Sequence, residues 1–341
     1  RVPCVFIENG FIADYDPTAP IEVNYRQNFA GEPTGKSHPE LLYNLKPRPN
    51  HGHDQSIVNG ISRIGFMKGG GKALWKDENI ADSITSHAID FIRRNHEEPF
   101  FMYLCTNDIH VPRFPHPRFR GKTDMGHRGD AIVQFDWTIG EVMKTLKELN
   151  IDKNTIIILT SDNGPVVDDG YDDEAVARLG SHKPSGPLRG NKYSSFEGGT
   201  RVPFIVSWPH GINKAKDSEA LVSQIDLFAS FAQMLNARLP KGSCPDSRKH
   251  WDALVGKDSK GCEYVVEQNL WNVLSIRTND WKYIEPSNGA SYMKLTDIET
   301  GNSPLPQLYD MNHEGEKVNL AEEHPDIVEN LKGILKGERE K

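Results

Sequence analysis

The sequence has few of the features that would assign it at once to a familiar class of protein. Its four cysteines are widely spaced and form no pair at metal-ligand spacing, so neither a disulfide framework nor a zinc site is indicated. No apolar run approaches the length of a membrane-spanning helix. The net charge of −8 gives no basic surface for a nucleic acid, which leaves small molecules or glycans as the expected partners.

A chain of 341 residues is long enough for one large domain and a smaller one. From the change in sequence pattern, we expect a large α/β domain over residues 1–258 and a small α+β domain over residues 259–341. No initiator methionine or signal peptide precedes the first segment, which is typical of a strand. We therefore expect further sequence upstream of Arg1.

The most informative segment is TIIILTSDNG, at residues 155–164. Its consecutive apolar residues favour a strand that is buried on both faces, as in a parallel sheet flanked by helices. Asp162 and Asn163 then lie at the carboxyl end of the strand, where open α/β sheets bind ligands. Their hard oxygen donors suit Ca²⁺ or Mg²⁺ better than zinc. The same residue types also favour an ordinary tight turn, so the pattern alone leaves both interpretations open.

Helices and strands alternate through the rest of the large domain. Apolar residues at intervals of three and four predict amphipathic helices, the first of them capped by Asp77, and short apolar runs predict buried strands. These elements are helices over residues 78–95, 130–150 and 219–236 and strands over residues 100–104 and 202–207. The strand at residues 100–104 would deliver Asn107 and His110 to the same sheet edge as Asp162. A helix between two strands is typical of a parallel crossover.

The small domain is predicted from a change to short strands joined by turns. The predicted elements are strands over residues 263–268, 273–278 and 281–285, an extended piece near Leu308 and a helix over residues 324–336.

Several short motifs occur in a specific order along nearly the whole chain. They are PFFMYL at 99–104, NDIH at 107–110, TSDNG at 160–164, LRGNK at 188–192, EGGTRVP at 197–203 and LYD at 308–310. In this order they resemble the carboxyl-terminal two thirds of a type I sulfatase of the arylsulfatase family, within the alkaline phosphatase superfamily. The resemblance implies an α/β fold with a sulfatase-like sheet flanked by helices and a smaller carboxyl-terminal domain of antiparallel strands and a helix.

The resemblance also implies roles for particular residues. Asp162 and Asn163 would ligate a divalent cation, normally Ca²⁺, with Mg²⁺ as the alternative. His110 matches the active-site histidine, which would bind the sulfate or protonate the departing alkoxide. Lys192 matches the lysine that binds the sulfate oxygens.

Three further residues are candidate substrate contacts because they lie in loops expected at the mouth of the site. They are Arg113, His182 and Arg189. Each is equally consistent with an ordinary loop charge.

One part of the family pattern is missing from this sequence. Family members carry a cysteine in a Cys-x-Pro/Ala-x-Arg signature, which is oxidised to the formylglycine nucleophile. The similar segment CPDSR, residues 244–248, has Asp246 where Pro or Ala is required and follows the Asp162 strand instead of preceding it. We interpret this segment as a chance match, and we expect the formylglycine in an absent amino-terminal part and the chain alone to be inactive.

The leading hypothesis for function is calcium-dependent hydrolysis of sulfate esters on a carbohydrate, because the loops around the expected site are long and polar. Two alternatives stay open: a phosphoester or phosphonate hydrolase of the same superfamily, and a non-catalytic glycan-binding remnant. The resemblance implies export to the periplasm or beyond. The sequence gives no indication of the oligomeric state.

Overall fold

In the computed structural model, which describes residues 1–43, 45–313 and 315–341, two long helices pack side by side. They are α1, Ile80–Asn95, and α2, Gly126–Glu148, and both were predicted from the apolar periodicity. A buried hydrogen bond of 3.1 Å joins the hydroxyls of Thr85 and Thr138 at their interface. Helix α2 begins earlier than predicted. Asp130 lies within its second turn and accepts hydrogen bonds from the backbone N–H groups of the preceding loop.

The amino-terminal cap predicted for α1 is wrong. Asn79 occupies the cap position, after one 3₁₀ turn at Asp77–Asn79, and no side chain makes a capping hydrogen bond there. The carboxylate of Asp77 instead forms a two-point ion pair with the guanidinium of Arg63. Both side chains are almost fully buried, so this pairing satisfies charges that would otherwise be costly in the interior.

The chain divides into two units. The first contains Arg1–Asp152 and Val167–His182, and the second contains Lys153–Val166 and Lys183–Lys341. The predicted boundary between residues 258 and 259 rests on sequence pattern alone and stays a prediction.

Apart from its helices, the first unit is built from short antiparallel pairs. The pairings are β1 with β2, β3 with β7, β4 with β9 and β5 with β6. The strands are β1, Ile7–Glu8; β2, Phe11–Ile12; β3, Glu22–Asn24; β4, Lys46–Pro47; β5, Ile57–Val58; β6, Ile61–Ser62; β7, Phe66–Lys68; and β9, Tyr171–Asp172. One buried cluster in this unit contains Leu45, Ile61, Val111 and Tyr171.

The strand predicted at residues 100–104 is not a strand in the structure. Its side chains alternate in exposure as they would in a strand, with Phe101 and Tyr103 72% and 82% exposed. The unbroken apolar run predicted a buried strand, so the exposure of alternate side chains also contradicts that prediction.

The predicted strand that precedes Asp162 is present as β8, Ile157–Leu159. It pairs with β10, Ile205–Ser207, which confirms the second predicted strand. The pairing is antiparallel, with Ile205 opposite Leu159, so the expected parallel arrangement is wrong for these two strands.

The helix predicted over residues 219–236 is shorter in the structure. A 3₁₀ turn at Gln224–Asp226 leads into α4, Leu227–Met234, and a one-turn helix, α5, follows at Trp251–Leu254. The residues before the 3₁₀ turn are not helical, because Leu221 forms a parallel bridge with Gly261. The carbonyl oxygen of Leu221 also accepts a hydrogen bond from the backbone N–H of Cys262.

The carboxyl-terminal part of the second unit has the predicted antiparallel strands and helix. Four strands pair in the order β11-β12-β13-β16, and α6 packs against them over a core that includes Ile276, Tyr283, Leu308 and Leu331. The elements are β11, Tyr264–Gln268; β12, Leu274–Thr278; β13, Trp281–Ile284; β14, Tyr292–Met293; β15, Ile298–Glu299; β16, Gln307–Asp310; α6, Pro325–Arg339; and, earlier in the unit, α3, Glu197–Thr200. Among the described residues, no helix combines the length and hydrophobicity needed to cross a bilayer.

Candidate active site

The Asp162-Asn163-Gly164 turn follows β8 and is held against helix α3 by backbone contacts alone. The N–H of Gly164 donates to the carbonyl oxygen of Gly199 at 2.8 Å. A Cβ atom on Gly164 would overlap the carbonyl oxygen of Gly198, so only glycine permits this close approach. We refer to this contact as the glycine crossing. It explains the glycine of the TSDNG motif, whereas a Cβ atom on Gly198 or Gly199 of the EGGTRVP motif would overlap backbone oxygens of residues 189–194.

Lys192 lies close to the same turn. Its backbone N–H donates to the carbonyl oxygen of Pro165 at 2.8 Å, and its ammonium nitrogen is 5.1 Å from the centre of the Tyr193 ring. Asn163 and Lys192 together line a cleft of about 230 Å³. The structure therefore brings the predicted metal-binding turn and the predicted sulfate-binding lysine to one cleft.

The donor atoms of this turn fit a hard divalent cation. Asp162 is exposed, and its carboxylate is 3.5 Å from the hydroxyl of Ser161. The side-chain amide nitrogen of Asn163 donates to the carbonyl oxygen of Gly164 at 3.0 Å, which orients the amide and leaves its oxygen as the candidate ligand atom. A carboxylate oxygen beside an amide oxygen is the donor chemistry that calcium and magnesium prefer.

His110 belongs to the first unit, in the segment that leads to α2. The Nδ1 atom of His110 is 2.7 Å from the carbonyl oxygen of Val111. A carbonyl only accepts, so Nδ1 carries the proton and Nε2 is the nitrogen that exchanges protons in the neutral ring. The neighbouring Asp108 is buried, which raises its pKa, and it accepts a 2.7 Å hydrogen bond from Gln134 of α2. Asp108 thus anchors the His110 segment to a helix, while the catalytic role of His110 stays a prediction.

Arg113 is almost completely buried, with 1% of its surface exposed. Its guanidinium forms a 2.7 Å ion pair with the buried carboxylate of Asp173 and donates to the carbonyl oxygens of Ile109 and Val167. These contacts give Arg113 a structural role in the first unit. Its proposed contact with substrate stays a prediction.

The two other candidate substrate contacts lie in different settings. His182 is exposed at the end of the first unit. Arg189 is anchored in the second unit, where it pairs with Glu299, donates at 2.6 Å to the carbonyl oxygen of Glu316, and stacks 3.9 Å from the Phe196 ring centre. Pairing with Glu299 raises the pKa of Arg189, so it stays charged. Substrate binding by either residue stays a prediction.

A buried ion network, which the sequence analysis did not find, holds helix α3 in place. Lys282 of β13 is fully buried, and its ammonium lies 3.2 Å from Glu197, 3.0 Å from Glu267 and 3.4 Å from Glu316. The carboxylate of Glu316 also accepts two hydrogen bonds from the backbone N–H of Glu197, and Arg277 lies 3.6 Å from Glu197. We call these five residues the Lys282 network. The glutamate of the EGGTRVP motif therefore acts as a structural anchor.

The cations around the three carboxylates of the Lys282 network are unevenly distributed. Lys282, Arg277 and Arg201, a neighbour of the network, all lie within 3.6 Å of Glu197, whereas Glu316 pairs with Lys282. Burial raises the pKa of Glu316 from 4.5 to about 7, although Lys282 opposes the shift. Burial alone would also raise the pKa of Glu197, but the charges of Lys282 and Arg277 lower it. Near pH 7, Glu316 is therefore protonated in about half of the molecules.

This raised pKa predicts a loss of stability as pH increases. The folded state binds the Glu316 proton more tightly than the unfolded state, so the contribution is full below about pH 4.5 and is lost as pH rises to about 7. We expect the unfolding free energy of the second unit to fall by on the order of 2 to 3 kcal/mol across this range. Urea titrations at a series of pH values would measure it. Glu316→Gln should flatten the profile, whereas the same change at the exposed Glu322 should leave it intact; an unchanged profile in Glu316→Gln would refute the assignment.

Three residues that the sequence did not single out also line the cleft. Gln268, Asn269 and Leu270, which follow or end β11, line it together with Asn163 and Lys192. Asn269 is buried, and its side chain is fixed by hydrogen bonds to Asn302 and to the backbone of Trp271 and Val273. Polar residues at the end of a strand were the available signal, but their proximity to Lys192 depends on long-range folding.

Residues 244–248, which resemble the nucleophile signature, lie in a loop of the second unit that packs on α4. The hydroxyl of Ser247 accepts a hydrogen bond from the backbone of Ala229, and the backbone of Arg248 donates to Asp226. Arg248 also hydrogen-bonds Tyr264. These structural contacts are in keeping with the interpretation as a chance match, which stays a prediction.

A cleft that combines paired oxygen donors with a lysine is of the kind that binds an anionic ester beside a divalent cation. Comparison with known proteins identifies the family. The family model described as Sulfatase matches residues 20–237, and the chain belongs to the sulfatase family. The suspected resemblance is thereby confirmed.

Two curated relatives show how much of a longer protein this chain covers. It is 53% identical over 336 residues to an N-acetylgalactosamine-6-O-sulfatase of Bacteroides thetaiotaomicron, an alignment that covers 98% of this chain and 65% of the relative. It is 33% identical over 166 residues to an N-acetylgalactosamine-6-sulfatase of Rattus norvegicus, covering 48% of this chain and 30% of the relative. The chain therefore spans less than two thirds of the length of these relatives.

Solved structures confirm the predicted fold class. A structure described in connection with glycosaminoglycan metabolism by Bacteroides thetaiotaomicron matches with a TM-score of 0.96 and 52% identity, over 100% of this chain and 70% of that chain. The PsFucS1 sulfatase of a Pseudoalteromonas species shares the fold, with a TM-score of 0.63 and 21% identity over 76% of this chain and 52% of that chain.

Proposed function

We propose that this chain provides the metal-binding and sulfate-binding part of a sulfatase that removes a 6-O-sulfate group from N-acetylgalactosamine in a sulfated glycan. The observation that carries the proposal is the shared cleft of Asn163 and Lys192, beside Asp162. The relative that is 53% identical, named as an N-acetylgalactosamine-6-O-sulfatase, supports the substrate. In keeping with the family resemblance, we place the protein in the periplasm or outside the cell.

In the proposed reaction, Asp162 and Asn163 would hold Ca²⁺, with Mg²⁺ as the alternative. The bound cation would polarise a sulfuryl oxygen and neutralise part of the charge of the transition state. Lys192 binds the sulfate oxygens as a compact positive charge. His110 would protonate the departing sugar oxygen from Nε2 after Nε2 has taken up a proton from solvent, because Nδ1 already donates its own proton to the carbonyl oxygen of Val111.

The attacking group is not among the residues assigned here. We propose that it is a formylglycine supplied by a segment outside this sequence, because the 341 residues contain no Cys-x-Pro/Ala-x-Arg signature. The chain by itself would then bind a cation and a sulfated sugar without hydrolysing the ester. Arg113, His182 and Arg189 remain proposed contacts to the sugar or its substituents.

The proposal is tested by measuring sulfate release from N-acetylgalactosamine-6-sulfate by the complete gene product. We expect steady turnover of the sulfate ester and little release of phosphate from the matched 6-phosphate ester. Faster hydrolysis of the phosphate ester would favour the phosphoester hydrolase. Cation-dependent sugar binding without sulfate release would favour the non-catalytic alternative.

Lys192→Ala should reduce turnover in that assay by about 10² to 10³-fold, in keeping with the loss of one preorganised electrostatic contact. The side chain is partly exposed, so the change should not affect folding. Lys183→Ala, at an exposed position of the same unit, is the matched control and should keep full turnover. Unchanged kinetics in Lys192→Ala would place the sulfate contact elsewhere.

A further inference from the structure

A second cluster of metal-ligating side chains lies in the second unit and shares no residue with the cleft that contains Lys192. It consists of Asp226, His250 and Cys262, whose ligand atoms all lie within 4.8 Å of one another. Asp226 and Cys262 are 4% and 1% exposed, and His250 is half-buried. The spacing of these residues along the chain gave no hint of the cluster, because they come from three separate structural elements.

Hydrogen bonding explains only part of this arrangement. The thiol of Cys262 donates to Oδ2 of Asp226 at 3.1 Å, and Oδ1 of Asp226 accepts from the backbone of Arg248 at 2.7 Å. The Nε2 atom of His250, in contrast, is buried and has no hydrogen-bond partner in the structure. A buried polar atom without a partner costs free energy and calls for a ligand.

Hydrogen bonds hold the backbone of Cys262 and of His250 in place. The backbone N–H of Cys262 donates to the carbonyl oxygen of Leu221 at 2.7 Å, and that of His250 donates to the hydroxyl of Ser230 at 2.9 Å. Gly261 has φ +71°, and an added Cβ would overlap the carbonyl of Leu221. Only glycine therefore permits the close approach of the Gly261-Cys262 backbone to Leu221.

We propose that Asp226, His250 and Cys262 form a zinc site that ties the start of β11 to the amino-terminal end of α4. Nitrogen, oxygen and sulfur donors of these types are the usual protein ligands of zinc, with water as the fourth ligand where the protein provides three. One dication with a carboxylate, a thiolate and a neutral imidazole has no net charge, which suits a buried position. Tetrahedral zinc needs donor separations of about 3.3 to 3.8 Å. The three ligand atoms lie within 4.8 Å of one another, so zinc binding would require a small movement of the His250 ring.

Zinc binding at this cluster involves proton release but no redox change. Burial and the hydrogen bond to Asp226 raise the pKa of the Cys262 thiol to about 12, so without metal it is protonated. On binding, the thiol proton leaves to solvent, the sulfur lone pair forms the bond to zinc, and Asp226 exchanges its hydrogen bond for a metal bond. Cys262 also lines a cleft of about 420 Å³, which gives an entry path for the ion.

The proposal is tested on the full chain after removal of metal with a chelator, using Co²⁺ and Zn²⁺ as probes. One equivalent of Co²⁺ should produce an intense thiolate-to-cobalt charge-transfer band, and Zn²⁺ should abolish the band by displacement. Zn²⁺ should also raise the unfolding temperature in a concentration-dependent manner. Absence of the band in the wild-type chain would overturn the proposal.

Two variants of the cluster and three control variants make the test specific. Cys262→Ser should remove the charge-transfer band, and His250→Gln should weaken zinc binding on the order of 100-fold or more, since even outer-shell changes cost 10 to 100-fold. Cys244→Ser and His210→Gln, at positions outside the cluster, are the matched controls and should behave as wild type. Asp162→Ala should also keep the band, because the oxygen donors at that turn give no thiolate transition.

His250→Gln should fold as the wild type does, because the Nε2 atom that it replaces has no hydrogen-bond partner. A loss of zinc binding in this variant is therefore not a result of misfolding. Its unfolding temperature without metal should equal that of the wild type, and only the zinc-dependent increase should be lost. If the band persists in Cys262→Ser, or if His210→Gln loses as much zinc affinity as His250→Gln, the site is not this cluster.

Discussion

Replacement of Lys282 by methionine should lower the unfolding free energy of the second unit by about 3 to 5 kcal/mol, the usual cost of leaving a buried charge without its partner. The ammonium of Lys282 is fully buried and lies within 3.4 Å of three carboxylates. Methionine has a similar length but removes the cation that contacts all three carboxylates. The unfolding free energy of a folded protein is only about 5 to 15 kcal/mol, so this one change removes a large fraction of the stability of the unit.

Hydrogen exchange of the β12 and β13 amides is a suitable measurement, because it reports on the second unit even if the two units unfold separately. Lys332→Met is the matched control: Lys332 forms a 3.0 Å ion pair with Glu329, but both side chains are exposed. Such a pair contributes no more than about 1 kcal/mol. Adding Glu316→Gln to Lys282→Met should recover part of the stability, since it removes one of the unpaired charges. A loss below 1 kcal/mol in Lys282→Met would show that the network is not strongly coupled.

Asp162→Ala should abolish sulfate release by the complete enzyme and weaken Ca²⁺ binding by roughly two orders of magnitude or more, because calcium affinity varies over decades with the charge of the ligands. The expected loss is large because alanine removes the only full negative charge of the Asp162-Asn163 pair. Calorimetric titration of the chain with Ca²⁺ measures the affinity independently of turnover.

The fold should tolerate this substitution. Asp162 is exposed, and its one described hydrogen bond, to Ser161, is long at 3.5 Å. Hydrogen exchange in the carboxyl-terminal sheet should therefore match the wild type. Asp217→Ala removes an equally exposed carboxylate from the same unit and should change neither affinity nor turnover. If Asp162→Ala binds Ca²⁺ as well as the control does, the metal assignment is wrong.

The sequence predicted those parts of the structure whose signals are local. The apolar run before Asp162, the helical periodicity of α1 and α2, and the alternating strands at the carboxyl end all follow from neighbouring residues, and the structure contains them. The oxygen donors at the end of β8 could be recognised for the same reason. Their roles in metal binding remain a prediction.

The errors occurred where a distant partner decides the structure. Asp77 was predicted as the cap of α1, but its carboxylate pairs with Arg63 in the interior and Asn79 occupies the cap position. The apolar run at residues 100–104 predicted a buried strand, but Phe101 and Tyr103 are exposed and the segment is not a strand. Glu197 and Lys282 are 85 residues apart along the chain, so no local pattern could reveal their ion pair.

The glycine crossing has a consequence for how the proposed substrate preference could be changed. Because the backbone of Gly164 meets the backbone of Gly198 and Gly199 there, the spacing between the Asp162-Asn163 turn and α3 does not depend on side-chain rotamers. We therefore expect substitutions at Gln268 and Leu270, which line the cleft with Asn163 and Lys192, to alter the preference for the sugar while the turn keeps its position.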